Sequence, residues 1–148
     1  MSVRLPRELD QSIGFNLDRA AVLFRRDLIR VLAPDGLLPE QWQILIVLAD
    51  AEALSQQQLA DALAADKHAT SRMLARMERD GWIRRTPSPD DSRSQIVRLT
   101  RKAGVRVDAM RANVRNHFRQ RLAPLATANR DKLLDLLRQL RTILRETP

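Results

Sequence analysis

Residues Ser55 to Thr100, which carry the clearest structural signals of the chain, read SQQQLADALAADKHATSRMLARMERDGWIRRTPSPDDSRSQIVRLT. Ser55 and Gln58 stand three residues apart, and this spacing predicts a capping box at the start of a short helix. Asp66 offers a carboxylate to the free amides of a second, longer helix. Gly81 supplies the left-handed conformation that commonly ends a helix. The stretch therefore begins with two predicted helices joined by a turn.

A two-stranded hairpin is predicted after Gly81. Residues Ile83–Arg85 and Gln95–Leu99 have the composition and alternation of short strands. The linking sequence TPSPDDSRS combines prolines, aspartates and hydroxyl residues, which are typical of turns and exclude a central strand. Two helices followed by such a hairpin predict a winged helix-turn-helix.

The longer helix has a polar side that is predicted to face outward. Ala69, Met73 and Met77 recur every four residues and Leu74 widens this apolar stripe. Small hydroxyl and cationic side chains near a helix start are what a major-groove contact requires. A solvated helix face gives the same pattern, so both interpretations stay open. The outward residues are Lys67, His68, Thr70, Ser71, Arg72 and Arg76.

The hairpin is predicted to add arginines to this surface. Arg93 lies near the tip, where an arginine can enter a minor groove of concentrated negative potential, with Asp91 supporting it. A solubilising loop arginine is the alternative. Arg84, Arg85 and Arg98 are predicted to neutralise phosphates.

Four runs resemble the multiple antibiotic resistance regulator (MarR) family of bacterial transcription factors. They are LPEQWQIL from Leu38 to Leu45, SQQQLADAL, DKHATSRMLARMERDGWIRR and DDSRSQIVRLT. The resemblance spans roughly Leu38 to Thr100 without a gap. It implies a sequence-specific DNA-binding regulator, more often a repressor than an activator.

Two positions depart from the family pattern. The family commonly has a hydroxyl residue three positions after the aspartate that opens the recognition helix, where this chain has Ala69. We therefore expect a different base preference. Leu38 stands before Pro39 where a Thr or Ser cap is common, and losing such a cap costs about 0.5–2 kcal/mol. We expect packing of Trp42 to compensate.

Composition and charge limit the class of protein. The chain has 148 residues, of which 44% are hydrophobic and only 3% aromatic, so we expect one mainly helical domain. Its formal net charge is +8. Residues 67–102 hold ten Lys or Arg against four acids, a balance of +6, and this segment therefore favours a polyanionic partner. A membrane surface would attract the same charge, but the amphipathic segments are needed for the core.

The pattern along the chain predicts helices on both sides of the winged lobe. Residues Met1 to Glu8 are expected to form a loose arm. Long helices are predicted at about Asp10–Leu32, Pro39–Ala51, Thr100–Leu122 and Thr127–Arg145. The domain boundaries expected from this pattern are a single domain over 1–148, a DNA-binding lobe over 38–100, and dimerisation helices over 8–33 and 101–148.

The last helix has more apolar surface than the terminal helix of a small monomer needs, which favours a partner. The family resemblance implies a homodimer whose first and last helices interlock. A two-fold dimer also presents two recognition helices to two half-sites. The alternative is that these leucines pack within their own chain. The apolar residues of this last helix are Leu133, Leu134, Leu136, Leu137, Leu140, Ile143 and Leu144.

The resemblance further implies a small aromatic or phenolic effector bound in a cleft that alters the spacing of the recognition helices. Residues that could line such a cleft are Phe15, Phe24, Trp42 and Met110, although aromatic residues at helical spacing more commonly form core. No cofactor and no metal site are expected, and cysteine is absent. His68 and His117 lie on different predicted helices, so catalysis has no support.

Two other function classes stay open at the sequence level. One is a basic protein that binds nucleic acid by charge alone, and the other is a winged-helix interaction module without DNA binding. The sequence starts without an apolar signal core and has no run near about 18 apolar residues. We therefore expect a cytoplasmic location.

Overall fold

The computed structural model describes residues 4–146, which form seven α-helices, a 3-10 turn and a three-stranded sheet. The predicted mainly helical fold with a small hairpin wing is confirmed. The helices are α1 (Arg7–Asp10), α2 (Ile13–Leu32), α3 (Pro39–Ala51), α4 (Gln56–Ala62), α5 (Lys67–Arg79), α6 (Arg101–Arg121) and α7 (Thr127–Glu146). The strands are β1 (Leu54–Ser55), β2 (Ile83–Pro87) and β3 (Gln95–Leu99), and the 3-10 turn is Ala33–Asp35.

The N-terminal segment is more ordered than the sequence predicted. Residues 1–3 of the expected loose arm lie outside the described range, but Arg7–Asp10 forms α1. The long helix α2 begins at Ile13 instead of near Asp10, because Ser12 caps it: the Ser12 hydroxyl accepts a hydrogen bond from the Phe15 amide at 3.2 Å. Gly36, in the left-handed region with φ of 67°, ends the turn that follows α2.

Helix α3 starts without a side-chain cap from the residue before it. Leu38 is extended and cannot accept a hydrogen bond from the helix amides. Gln41 partly compensates, because its Oε1 accepts from the Leu38 amide at 2.9 Å. Trp42 is 8% exposed and packs in the core, as the sequence predicted. The role of Gln41 was not predicted.

The helix-turn-helix forms at the predicted positions. The Ser55 hydroxyl accepts from the Gln58 amide at 3.1 Å, while Gln58 Oε1 accepts from the Ser55 amide at 2.9 Å. This reciprocal pair is the predicted capping box. Asp66 Oδ2 accepts from the Ala69 amide at 2.7 Å and caps α5. Gly81, with φ of 82°, follows the end of α5.

The wing is an antiparallel sheet in the order β1-β3-β2. Strand β1 has only two residues, Leu54 and Ser55, and was not predicted, because two residues are too few for a period-2 pattern to show. Strand β2 runs two residues beyond the predicted end and reaches Pro87, which lies opposite Gln95. A proline is tolerated there because β2 is an edge strand.

The core lies between helices α3 to α6 and one face of the sheet. Helix α2 contributes Leu32 to its fully buried part and Leu28 to its edge, while most of the helix before Asp27 is exposed. The core holds α5 and the wing in one packed body. Its largest fully buried side chains are Leu32, Ile44, Leu45, Leu48, Leu59, Leu74, Met77, Ile83, Met110, Val97 and Val107.

Polar contacts fix the first half of α6. The Thr100 hydroxyl donates to the Gly81 carbonyl at 2.8 Å and accepts from the Ala103 amide at 3.2 Å, so it caps α6 as predicted. Arg106 forms an ion pair with Asp35. Arg111 forms another, with Asp50 at the end of α3, at 2.6 Å. These contacts tie α6 to the end of α5 and to both sides of α3.

The chain divides into two compact units, one up to Val114 and the other from Arg115 onward, and the boundary falls within α6. The predicted boundaries at residues 38 and 100 and the single domain over 1–148 stay predictions. Among the described helices, none has the length and apolar character needed to cross a membrane.

The turn between α4 and α5 contains a strained residue that can be tested. Ala64 has φ of 49°, a left-handed conformation in which a Cβ is unfavourable. We expect Ala64→Gly to raise the free energy of unfolding by about 1 kcal/mol, as measured by urea denaturation. Ala65→Gly is the matched control and should lower it, because glycine there only adds freedom to the unfolded chain. A loss of stability in Ala64→Gly would contradict this account of the turn.

Candidate nucleic-acid interface

The buried stripe of α5 determines which of its side chains face outward. Thr70, Leu74 and Met77 are the buried residues of this helix. The prediction that Thr70 faces outward is wrong. Thr70 is 4% exposed, and its hydroxyl donates to the Asp66 carbonyl at 2.8 Å. Thr70 lies one turn before Leu74 on the same side of the helix, which places it in the core stripe.

The other predicted residues of α5 lie on the accessible surface. Ser71 is half-buried at the edge of the buried stripe, while the remaining residues are exposed. These exposed residues are Lys67, His68, Arg72 and Arg76. Helical geometry places His68 and Arg72, four residues apart, on the side opposite the buried stripe.

Arg79 is a further member of this surface that the sequence analysis missed. It is exposed and lies seven residues, about two turns, after Arg72, so both project from the same side of α5. The spacing from Arg72 to Arg79 was the available signal. We name the set His68, Arg72, Arg76 and Arg79 the basic row of α5.

Arg85 is held inside the lobe and does not lie free on the surface. Its guanidinium lies 3.3 Å from Glu78 Oε1 and donates to Gln56 Oε1 at 3.2 Å. Its backbone amide donates to Glu78 Oε2 at 2.7 Å. That amide, followed by the guanidinium, holds the pKa of Glu78 below its usual range. Arg85 therefore joins β2 to α5 and α4, and the predicted phosphate contact does not fit its position.

Arg84 and Arg98 lie on the face of the wing sheet opposite to the one that carries Arg85. They face each other across β2 and β3, and both are exposed. Side chains alternate between the faces of a strand, so these arginines point away from the face that contains Ile83 and Val97. Both of those residues are buried in the core.

The loop at the wing tip is shaped by Asp91. Its Oδ1 accepts from the Arg93 amide at 3.0 Å, and its carbonyl accepts from the Ser94 amide at 2.9 Å. Ser94 in turn accepts from the Ser88 amide at 2.8 Å, which closes the loop. The Asp91 carboxylate thus supports the backbone beneath Arg93, whose side chain is exposed.

The four residues predicted to line an effector cleft are not brought together around a cavity in the described structure. Trp42 and Met110 belong to the core cluster, Phe24 is exposed, and Phe15 is half-buried. This placement agrees with the core interpretation for Trp42 and Met110. A hollow of about 910 Å³ lies elsewhere, between the end of α5 and the first half of α6. Its lining residues are Asp35, Gly36, Asp80, Gly81, Trp82, Lys102, Ala103, Val105, Arg106 and Ala109.

The two histidines occupy unrelated environments. His68 is exposed on α5. His117 is half-buried on α6, and its ring meets the edge of the Phe118 ring at 5.1 Å. Within residues 4–146, no three His, Cys, Asp or Glu side chains are grouped as a metal site requires.

Comparison with known proteins identifies the family. A protein-family sequence model described as "MarR family" matches residues 35–94. The multiple antibiotic resistance protein MarR of Escherichia coli K12 is 29% identical over 106 residues, covering 72% of this chain and 74% of the relative.

Two solved structures are similar over almost the whole chain. One is the transcriptional repressor CouR bound to a 23-mer DNA duplex, with a TM-score of 0.89, 30% identity, and coverage of 95% of this chain and 99% of CouR. The other is a "probable transcriptional regulator" from Pseudomonas aeruginosa, with a TM-score of 0.83, 31% identity, and coverage of 89% and 98%. The family resemblance of the sequence is thus confirmed: the chain belongs to the MarR family of winged-helix transcriptional regulators, which are not enzymes.

Proposed function

We propose that this chain is a sequence-specific regulator that binds a pseudo-palindromic DNA operator as a homodimer and acts as a repressor. The observation that supports this best is the basic row of α5, which projects on the side opposite the stripe that α5 buries. The DNA-bound structure of the similar repressor CouR supports both the duplex as partner and the sign of regulation.

In this proposal α5 lies in the major groove. Arg72 faces base edges, where its planar guanidinium can donate two hydrogen bonds to one guanine. His68 and Ser71 lie one turn before it and beside it and complete the base-facing set. Side chains that flank the groove neutralise phosphates, and these are Lys67, Arg76 and Arg79.

The wing supplies the second contact. Arg93 enters the minor groove beside the half-site, where narrow width strengthens the attraction for a guanidinium. Asp91 is not itself a DNA contact in this proposal, because a carboxylate is repelled by phosphates. Its hydrogen bond to the Arg93 amide keeps the loop in the conformation that presents Arg93.

The homodimer is proposed from the apolar surface of the outer helices. In the described part of the second unit no residue is fully buried, and four leucines of α7 are exposed. Exposed apolar surface of this extent favours a protein partner, and a second copy of this chain is the partner proposed here. The large exposed side chains are Leu133, Leu134, Leu136, Ile143 and Leu144 on α7, and Ile13, Leu17, Val22, Leu23, Phe24 and Ile29 on α2.

A small aromatic effector is proposed for the hollow beside α6. Its volume suits a small molecule, since ligand sites span roughly 300–1,000 Å³. Trp82 and Val105 offer apolar contact, and Lys102 offers a cation for a carboxylate or phenolate. Asp80 follows the last residue of α5, so an occupant also contacts the end of the recognition helix. Such a ligand releases DNA only as far as it prefers the conformation that cannot bind DNA.

A salt titration on a matching and a scrambled duplex tests the proposed function. Affinity for both duplexes should fall with salt, because each phosphate contact releases counterions. A regulator keeps a specificity ratio of roughly a thousandfold or more. The charge of +6 over residues 67–102 also suits a non-specific binder, for which the ratio would stay near one. An interaction module would shift neither duplex.

Arg72→Ala tests the major-groove assignment. We expect it to reduce discrimination at one operator position by about 1–3 kcal/mol, measured as Kd over single base substitutions. Thr70→Ala is the matched control on the same helix. It should lower the melting temperature, because Thr70 is buried, and leave base discrimination unchanged. Equal discrimination by the parent and Arg72→Ala would refute the assignment.

Arg93→Ala tests the minor-groove assignment. Operator affinity should fall about tenfold while the melting temperature and the dimer stay as in the parent, since the Arg93 side chain is exposed. Asp91→Ala should weaken binding as well, through disorder of the loop, even though it removes a negative charge. A large loss of stability in Arg93→Ala would show that the arginine is structural.

Leu144→Lys tests the dimer. This side chain is 64% exposed in the single chain, so a charge there harms only an interface. We expect the mass from sedimentation equilibrium to fall toward that of one chain, and operator affinity to fall with it. Asn129→Lys, also on an exposed position of α7, should keep the parent mass. If the parent itself sediments as a monomer at micromolar concentration, the dimer proposal fails.

A further inference from the structure

The outer wing face holds two arginines that oppose each other directly. This face consists of Arg84 and Thr86 on β2 and Ile96 and Arg98 on β3. Arg84 pairs with Arg98 in the strand register, and like charges directly opposite each other destabilise a sheet. An arrangement that opposes folding in this way favours an external anion that both cations can share.

A third arginine completes the group. Arg101, the first residue of α6, lines the same hollow of about 300 Å³ as Arg84 and Arg98. Two threonine hydroxyls, of Thr86 and Thr100, and the side chain of Leu99 line the rest, and no acidic residue is among the lining.

The hydrogen bonds and ion pairs of the described residues do not explain why these three arginines line one hollow. Among residues 4–146, Arg84, Arg98 and Arg101 form no ion pair or side-chain hydrogen bond, whereas Arg85, the next residue along β2, forms several. Glu78, the acid whose titration is affected by Arg84, is itself bonded to Arg85. The positive charge of the hollow is therefore left for a ligand.

The hollow faces away from α5. Helix α5 is bonded through Glu78 to Arg85, whose side chain shares its face of the sheet with Ile83 and Val97. Arg84 and Arg98 project from the other face. The bases that α5 contacts are therefore not the part of a duplex that would meet this hollow.

We infer that the hollow between Arg84, Arg98 and Arg101 binds a backbone phosphate of the DNA that flanks the operator, outside the segment contacted by α5 and the tip of the wing. This inference rests on the proposed function. Planar guanidiniums suit the tetrahedral oxygens of a phosphate, and three of them around one hollow leave room for one such group. The site gives affinity without sequence preference, because a phosphate is the same at every base pair.

Duplexes of two lengths test the inference. One contains the selected operator alone, and the other extends it by about one helical turn (~10 base pairs) at each end. The parent should bind the longer duplex about three- to tenfold more tightly, with a steeper salt dependence. Arg84→Gln and Arg98→Gln should lose this gain and bind the short duplex as the parent does. Arg115→Gln, which removes the same charge from an exposed position of α6, should keep it.

The melting temperature separates this proposal from a structural role of Arg84, because loss of a structural arginine would lower it. Arg84→Gln removes a repulsive pair, so its melting temperature should equal or exceed that of the parent. An equal loss of affinity for both duplexes, or no gain of the parent from the extension, would overturn the inference. Binding of inorganic pyrophosphate at the hollow with an unchanged length dependence would also overturn the assignment to DNA. Failure of the parent to prefer the operator would instead refute the proposed function.

Discussion

The burial of Thr70, Leu74 and Met77 fixes the rotation of α5 about its own axis, and every assignment made on α5 depends on that rotation. A helix of fixed rotation presents only one row of side chains to a partner. Here that row is basic, and it contains Arg72 and Arg79. If the buried stripe were shifted by one residue along the sequence, a different row of side chains would face outward. The core therefore determines what α5 can contact.

A second constraint links the wing to α5. Glu78 belongs to α5 and Arg85 belongs to β2, and three hydrogen bonds join them. Gln56 extends the link to α4. This node fixes the sheet against α5 and α4, and it therefore sets the position of the wing relative to the basic row. The same node removes Arg85 from the set of cations that can bind phosphate, although its neighbours Arg84 and Arg98 stay accessible.

Local signals were enough to predict the elements of the lobe. Ser55, Asp66 and Gly81 act within one helical turn, so their hydrogen bonds and backbone conformations follow from nearby residues. The two-residue strand β1 could not be predicted, because it exists only through its pairing with β3. The short helix α1 was missed for a similar reason, since four residues give no period.

The candidate site was harder to predict, because it depends on which residue lies where around α5. The sequence placed the stripe on Ala69 and Met73, and a rotation of one position moved Thr70 from the surface into the core. Similarly, the sequence could not show that Arg85 meets Glu78 seven residues earlier, across a helix end and a turn. Charge alone does not distinguish a paired arginine from a free one.

Selection of bound fragments from a random duplex pool would show whether α5 reads DNA bases as part of a two-fold dimer. If the basic row of α5 faces a groove and a second subunit presents another copy, the enriched duplexes will share two inverted half-sites. Their centres will lie about one helical turn, ~10 base pairs, apart. Enrichment of a single unpaired site, or of no common sequence, would contradict the account.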